Sequence, residues 1–259
     1  SLMLLAVRYG RLDTAKWLAN RGLPIQGDKD DRGATAILLA AQSGHVHMME
    51  WLTQQGCSVS ELSDQGCTAI MYAADGGSKE AITWLLAHGC SLNQTSPLGT
   101  TPIMFAATSG HTELIKWLYF EHHCSLSDTN QHGTTAARTA AEHGHLETMK
   151  WVIAHGGRYD PACRPFKSIL MLACEQGHLD IAKWLVAELR LDPCAKASNN
   201  ITPFTLAAAR GHPHILQWLL FDCDVSPKEH RQGIVAINAA AAGNHLDVLK
   251  FLSSIGLSL

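Results

Sequence analysis

The chain has 259 residues, with 20 Lys and Arg against 23 Asp and Glu and a formal charge of -3; its isoelectric point lies near 6.5. The basic residues are dispersed, so the chain lacks the positive stripe that binds nucleic acid or anionic lipid nonspecifically. No apolar run approaches the roughly 20 residues of a membrane span, and Leu2 to Val7 is too short, and wrongly flanked, for a signal peptide.

Tryptophan sets the organisation. The seven tryptophans stand at 17, 51, 84, 117, 151, 184 and 218, every 33 or 34 residues, and Phe251 follows 33 residues after the last. An aromatic at one phase of eight consecutive segments signals a repeat array rather than one compact core. Such a stack escapes the usual size limit of a single core because each unit touches only its neighbours. The expected units are a partial one at 1–29, then 30–62, 63–95, 96–129, 130–162, 163–196, 197–229 and 230–259, forming one elongated domain.

Taken in order, the units repeat more than tryptophan. The second runs Asp31-Arg-Gly-Ala-Thr-Ala-Ile-Leu-Leu-Ala-Ala-Gln-Ser-Gly-His45, and the fourth runs Pro97-Leu-Gly-Thr-Thr-Pro-Ile-Met-Phe-Ala-Ala-Thr-Ser-Gly-His111. Each is followed by an apolar stretch at helical spacing, such as Val46, Met49 and Leu52. Gly10, Gly44, Gly77, Gly110, Gly144, Gly177 and Gly211, with Asn244 in the eighth unit, recur between the two predicted helices, where a left-handed residue ends a helix. Thr35, Thr68, Thr101, Thr135, Ser168 and Thr202 stand where a hydroxyl caps the first helix, twice with Pro102 or Pro203 behind it. Val235 breaks that rule in the last unit.

These segments resemble ankyrin repeats over the whole chain, whose signature runs Thr-Pro-Leu-His-x-Ala-Ala-x-x-Gly-His. The resemblance implies an all-α solenoid of stacked helix-turn-helix units with β-hairpin-like finger turns. It places Gly33, Gly66, Gly99, Gly133 and Gly233 at the fingers, with Asn200 substituting. It also makes His45, His111, His145, His178, His212 and His245 the family's Gly-His residue, which starts or braces the second helix. Arg138 departs from the signature, Arg164 to Ser168 lacks the finger glycine, and the second helices of units four and six run long through His123 and Arg190. Ser1 falls inside a first helix and Leu259 just after a second one, so further repeats or other domains are expected to flank the chain.

Catalytic and metal motifs are missing. No Cys-x-x-Cys, His-Glu-x-x-His, Gly-x-Ser-x-Gly or phosphate-cradling Gly-x-x-x-x-Gly-Lys occurs. Equivalent cysteines of adjacent units should stand one helix spacing apart, about 8–10 Å, beyond disulfide reach, so the eight cysteines read as reduced thiols of an intracellular, cytoplasmic protein. No cofactor, metal or enzymatic activity is expected. The tryptophans have two readings, as seam-covering rings between second helices or as an aromatic binding stripe.

Ankyrin domains usually bind along the concave face, with finger tips and variable first-helix residues. Those phases here give Arg32, Tyr72, Asp75, Phe105, Glu142, His143, Phe166 and Glu175. Tyr72 and Phe105 share one phase in adjacent units and read either as packing of their own hairpins or as a hot-spot pair rimmed by Asp75, Glu142 and Glu175. The second reading asks for a protein segment with a hydrophobic anchor and basic residues. The expected function is a monomeric, non-catalytic scaffold or adaptor that binds neither nucleic acid nor membrane. The alternative is the targeting arm of a larger enzyme or pathogen effector.

Overall fold

A computed structural model describes residues 1–159, 167–197, 200–226 and 232–257. The described residues form sixteen helices in hairpin pairs. The first helices are Leu2–Arg8 (α1), Ala36–Gln42 (α3), Ala69–Asp75 (α5), Pro102–Thr108 (α7), Ala136–Glu142 (α9), Ile169–Gln176 (α11), Pro203–Ala209 (α13) and Gln232–Ala242 (α15). The second helices are Leu12–Asn20 (α2), Val46–Gln54 (α4), Lys79–Ala87 (α6), Thr112–His122 (α8), Leu146–Ala154 (α10), Leu179–Leu189 (α12), Pro213–Phe221 (α14) and Leu246–Ser254 (α16). The fold is the all-α ankyrin-repeat solenoid that the repeat phase predicts.

Two compact units carry these hairpins, Ser1–Thr139 with Lys150–Arg158, and Ala140–Met149 with Tyr159–Leu259. In the first, α1, α3, α5 and α7 pack side by side, and in the second α11, α13 and α15 do so. Their small residues make this possible: Ala40, Ala41, Ala73, Ala74, Ala106 and Ala107 are all fully buried. Short, Ala-rich helices let backbones approach closely and leave Ile37, Met71, Met171 and Phe204 to fill the remaining space.

Between the helices of each hairpin the chain reverses through a left-handed residue: Gly10, Gly44, Gly77, Gly110, Gly144, Gly177 and Gly211 have φ of +63° to +83°, and Asn244 has +58°. Glycine serves a second purpose there. A Cβ built on Gly10 would lie 2.7 Å from the imidazole of His45 in the next hairpin; the corresponding distances are 2.6 Å for Gly77 and His111, 2.7 Å for Gly177 and His212, and 2.5 Å for Gly211 and His245. Each of these rings donates through Nε2 to a carbonyl near the end of the preceding first helix: His45 to Arg8 at 3.1 Å, His111 to Asp75 at 2.9 Å, His178 to Glu142, His212 to Glu175 and His245 to Ala209 at 3.0 Å. Burial holds His212 below the usual histidine range, against the pull of its bond to Glu175, so that ring stays neutral.

The fingers are tight turns rather than strands. Asp30, Ser63, Ser96 and Asn130 open them; the backbone N–H of each donates to the carbonyl four residues on, at 3.0–3.1 Å. Their side-chain oxygens accept return bonds, as Asp30 does from Arg32 and Ala34 at 3.0 and 2.8 Å. Only one isolated bridge, Lys29 with Thr35, has strand character among the described residues. Gly33, Gly66, Gly99 and Gly133 take positive φ at the tips, and Asn200 does so at +59°. Gly233 does not: it is buried inside α15, which runs eleven residues and also absorbs Val235. With no capping hydroxyl at 235, nothing stops the helix from starting earlier.

The capping hydroxyls divide into a bonded and an unbonded set. Ser168, Thr202 and Thr135 accept from the backbone N–H three residues on, at 3.2–3.3 Å. The hydroxyls of Thr35, Thr68 and Thr101 occupy the same position but are buried without a partner. At Thr202 the cap is reciprocal, since its backbone N–H also donates to Thr205 Oγ1 at 3.0 Å.

Two of the tryptophan rings meet side chains of the preceding second helix. Lys79 of α6 stands over Trp117 of α8 at 5.0 Å, and Tyr119 and Phe120 of α8 meet Trp151 of α10 edge-on at 5.8 and 6.0 Å. Trp51 and Trp218 are buried, but Trp17 on α2 is 55% exposed. Helices α8 and α12 run eleven residues where α4 and α6 run nine, and they end at His123 and Arg190 with φ of +53° and +55°. A side chain in that conformation costs roughly 1–2 kcal/mol, and glycine would give back part of the gain through unfolded-state entropy. His123→Gly is therefore expected to raise unfolding stability by about 0.5 kcal/mol in denaturant titration.

Candidate interaction surface

The sequence-predicted residues fall in both compact units. In the first, Arg32 is exposed at a finger tip, and Tyr72 on α5 and Phe105 on α7 are each half-buried at the same phase of adjacent hairpins. Burial pushes the Tyr72 phenol up, opposed by a hydrogen bond with Ser63, and the charges of Asp30 and Arg32 reach it.

Asp75 is more engaged than its position in the sequence suggests. One carboxylate oxygen accepts from Gln42 Nε2 at 2.7 Å and the other from Ser109 Oγ at 2.9 Å, so the side chain ties three successive hairpins. The following residue permits this approach: a Cβ on Gly76 would fall 1.6 Å from the carbonyl oxygen of Gln42. Asp75 remains half-buried, with both oxygens hydrogen-bonded.

In the second unit Glu142 is half-buried and His143 exposed. Glu175, expected as an acidic rim residue, is instead 5% exposed. Lys167 Nζ bonds one of its oxygens at 2.5 Å, and Arg210 Nε and Nη2 donate to the other at 3.2 and 3.0 Å. Burial alone would push this carboxyl up, but the bonds and charges of Lys167 and Arg210 outweigh it and hold it below the usual carboxylate range. Phe166 lies outside the described residues.

One regularity unites these contacts. Asp75 and Glu175 each stand two residues before the left-handed glycine, and each is bonded by the residue one place before the glycine of the next hairpin, Ser109 or Arg210. The pairings at separations of 34 and 35 were available in the repeat register, but reading each face residue as free for a partner hid them.

The remaining chemistry is quiet. The seven cysteines in described segments carry no disulfide. Burial, with the charge of Glu61, pushes the Cys57 thiol up to about 11, and burial raises Cys67, Cys90, Cys124, Cys174 and Cys223 as well. Thiols held protonated are poor nucleophiles and poor metal ligands. Among the described residues no cluster of three His, Cys, Asp or Glu could hold a metal ion, and no helix is long and apolar enough to cross a membrane.

Because the folded-state pKa of Glu175 is lowered, its contribution to stability is present above the ordinary carboxylate pKa and is lost as pH falls through the lowered value. Glu175→Gln is expected to cost about 1–3 kcal/mol at pH 7, the scale of charge-assisted bonds at a buried group, and to flatten the fall in melting temperature between pH 5 and 3, about the carboxylate range.

The family model described as ankyrin repeats (3 copies) matches residues 2–96, 89–163 and 170–258. A search of curated proteins finds no match. Among solved structures, the crystal structure of the human ASB11 ankyrin repeat domain is similar with a TM-score of 0.62 and 20% identity, over 85% of this chain and 96% of that one. At that identity the likeness concerns the fold. The motifs, the hairpin stack and the family match agree, and the chain belongs to the ankyrin-repeat family.

Proposed function

We propose that this chain is a non-catalytic scaffold or adaptor that binds a protein segment along its first helices and finger tips. Ankyrin repeats are protein–protein interaction modules. The observation that carries the reading is the pair Tyr72 and Phe105, large aromatic side chains left half-open at one phase of adjacent hairpins, with Arg32 exposed at a finger tip of the same compact unit. Aromatic anchors with nearby charge are the composition of interface hot spots. Asp75 and Glu142 supply negative charge toward basic residues of the partner; Glu175 does so no longer, because Lys167 and Arg210 neutralise it. The absence of disulfides at the described cysteines, six of whose thiols burial holds protonated, fits a reducing, cytoplasmic setting.

The test is retention of proteins from eukaryotic cytosol by the wild-type chain and by Tyr72→Ala/Phe105→Ala, both with unchanged helical melting. The expected result is a protein held by the wild type whose Kd rises tenfold or more, on the order of one hot spot, in the variant. Equal affinity for every retained protein would exclude this surface.

A further inference from the structure

On the second-helix side of the first compact unit, the first turn of α6 and one face of α8 border an open groove of about 430 Å³. Trp117 and Phe120 give it an aromatic wall. Phe120 is 57% exposed, and its far edge continues into Trp151 and Tyr119. Trp117 beside it is only half-buried, so both rings can be reached from solvent.

The groove already holds a cation of its own. Lys79 Nζ stands 5.0 Å from the centroid of the Trp117 ring, where the negative face of the indole attracts positive charge. The carboxylates around it are not balanced. Glu113 is paired with Lys116 at 2.6 Å, while Glu80 and Glu121 line the same groove and form no ion pair among the described residues. Three carboxylates thus face two ammonium groups, one of which rests on a ring rather than on an acid. The surplus favours an incoming cation over an anion.

We propose that this groove is a second docking surface, which takes an arginine side chain of a partner protein onto the face of Trp117 in place of Lys79, with Glu80 and Glu121 accepting from the guanidinium. The exchange has a chemical reason. A guanidinium is planar and weakly hydrated, stacks flat on an indole and carries five donors, whereas the Lys79 ammonium is compact, strongly hydrated and returns readily to water. Lys79 therefore keeps the ring covered while the groove is empty and leaves when a better-matched cation arrives. The site lies on other helices than Tyr72 and Phe105 and does not depend on them.

The experiment follows the indole Nε1–H signals of the full chain by NMR, with Trp117 assigned through Trp117→Phe, during titration with acetyl-Gly-Arg-Gly-amide. The same tripeptide carrying citrulline, which is neutral and of equal shape, serves as the control. The Trp117 signal should shift saturably with the arginine peptide and far less with citrulline. Glu80→Gln/Glu121→Gln should weaken binding about threefold or more, the scale of exposed charge pairs, and Lys79→Met should tighten it by removing the competing cation. These surface positions leave the buried core intact, and unchanged helical melting checks this. Equal response to the two peptides, stronger response to acetyl-Gly-Glu-Gly-amide, or unchanged or weaker binding to Lys79→Met would overturn the proposal.

Discussion

An imidazole ring lying against the bare α-carbon of a glycine sets the register of this stack. The glycine must have positive φ to reverse the chain between helices, and it must lack a Cβ because the next hairpin's ring occupies that space. The ring then satisfies a carbonyl at the end of a first helix, one of the acceptors that a helix end leaves open. Steric fit and hydrogen bond act at the same place, so neighbouring hairpins have one offset. Where Ser78 replaces the histidine, its Oγ approaches Gly44 in the same way, 2.8 Å from the position of a Cβ, and caps α6 instead. The lock changes chemistry there without losing its position.

A fixed offset also decides which polar residues remain for a partner. Residues just before the left-handed glycine are carried into the seam, and for Asp75 and Glu175 this means bonds to the neighbouring hairpins. An acidic side chain on the first-helix face is therefore not automatically part of an interaction surface. Aromatics one turn earlier, such as Tyr72 and Phe105, are only half-covered by the same packing. On the second-helix layer the offset sets aromatic rings beside one another, and it opens the groove at Trp117.

Most of the architecture was legible in the residues, because the features that build it repeat. The tryptophan interval, the Gly-His pair and the finger glycines each marked the same phase, and the two long second helices were visible from the extra residues before Cys124 and Leu191. What failed was local substitution. Gly233 carries the finger residue type, but without a hydroxyl at Val235 the chain there continues as helix. Thr35, Thr68 and Thr101 carry the capping residue type, yet their hydroxyls are buried without a partner. Among the candidate site residues, exposure at Arg32 and His143 followed from phase alone. The burial of Glu175 did not, because it depends on Lys167 and Arg210 arriving from segments that no single-unit pattern connects.

The account rests on the claim that the glycine and the ring act as one interaction, and a double-mutant cycle on Gly177 and His212 tests it most directly. Alone, Gly177→Ala meets both the left-handed backbone penalty and the ring, and should cost more than about 2 kcal/mol. In a His212→Ala background the ring is gone, and the same substitution should cost only the backbone penalty, about 1 kcal/mol. Equal costs in the two backgrounds, measured by denaturant unfolding, would mean that ring and glycine are independent and that the register is set elsewhere.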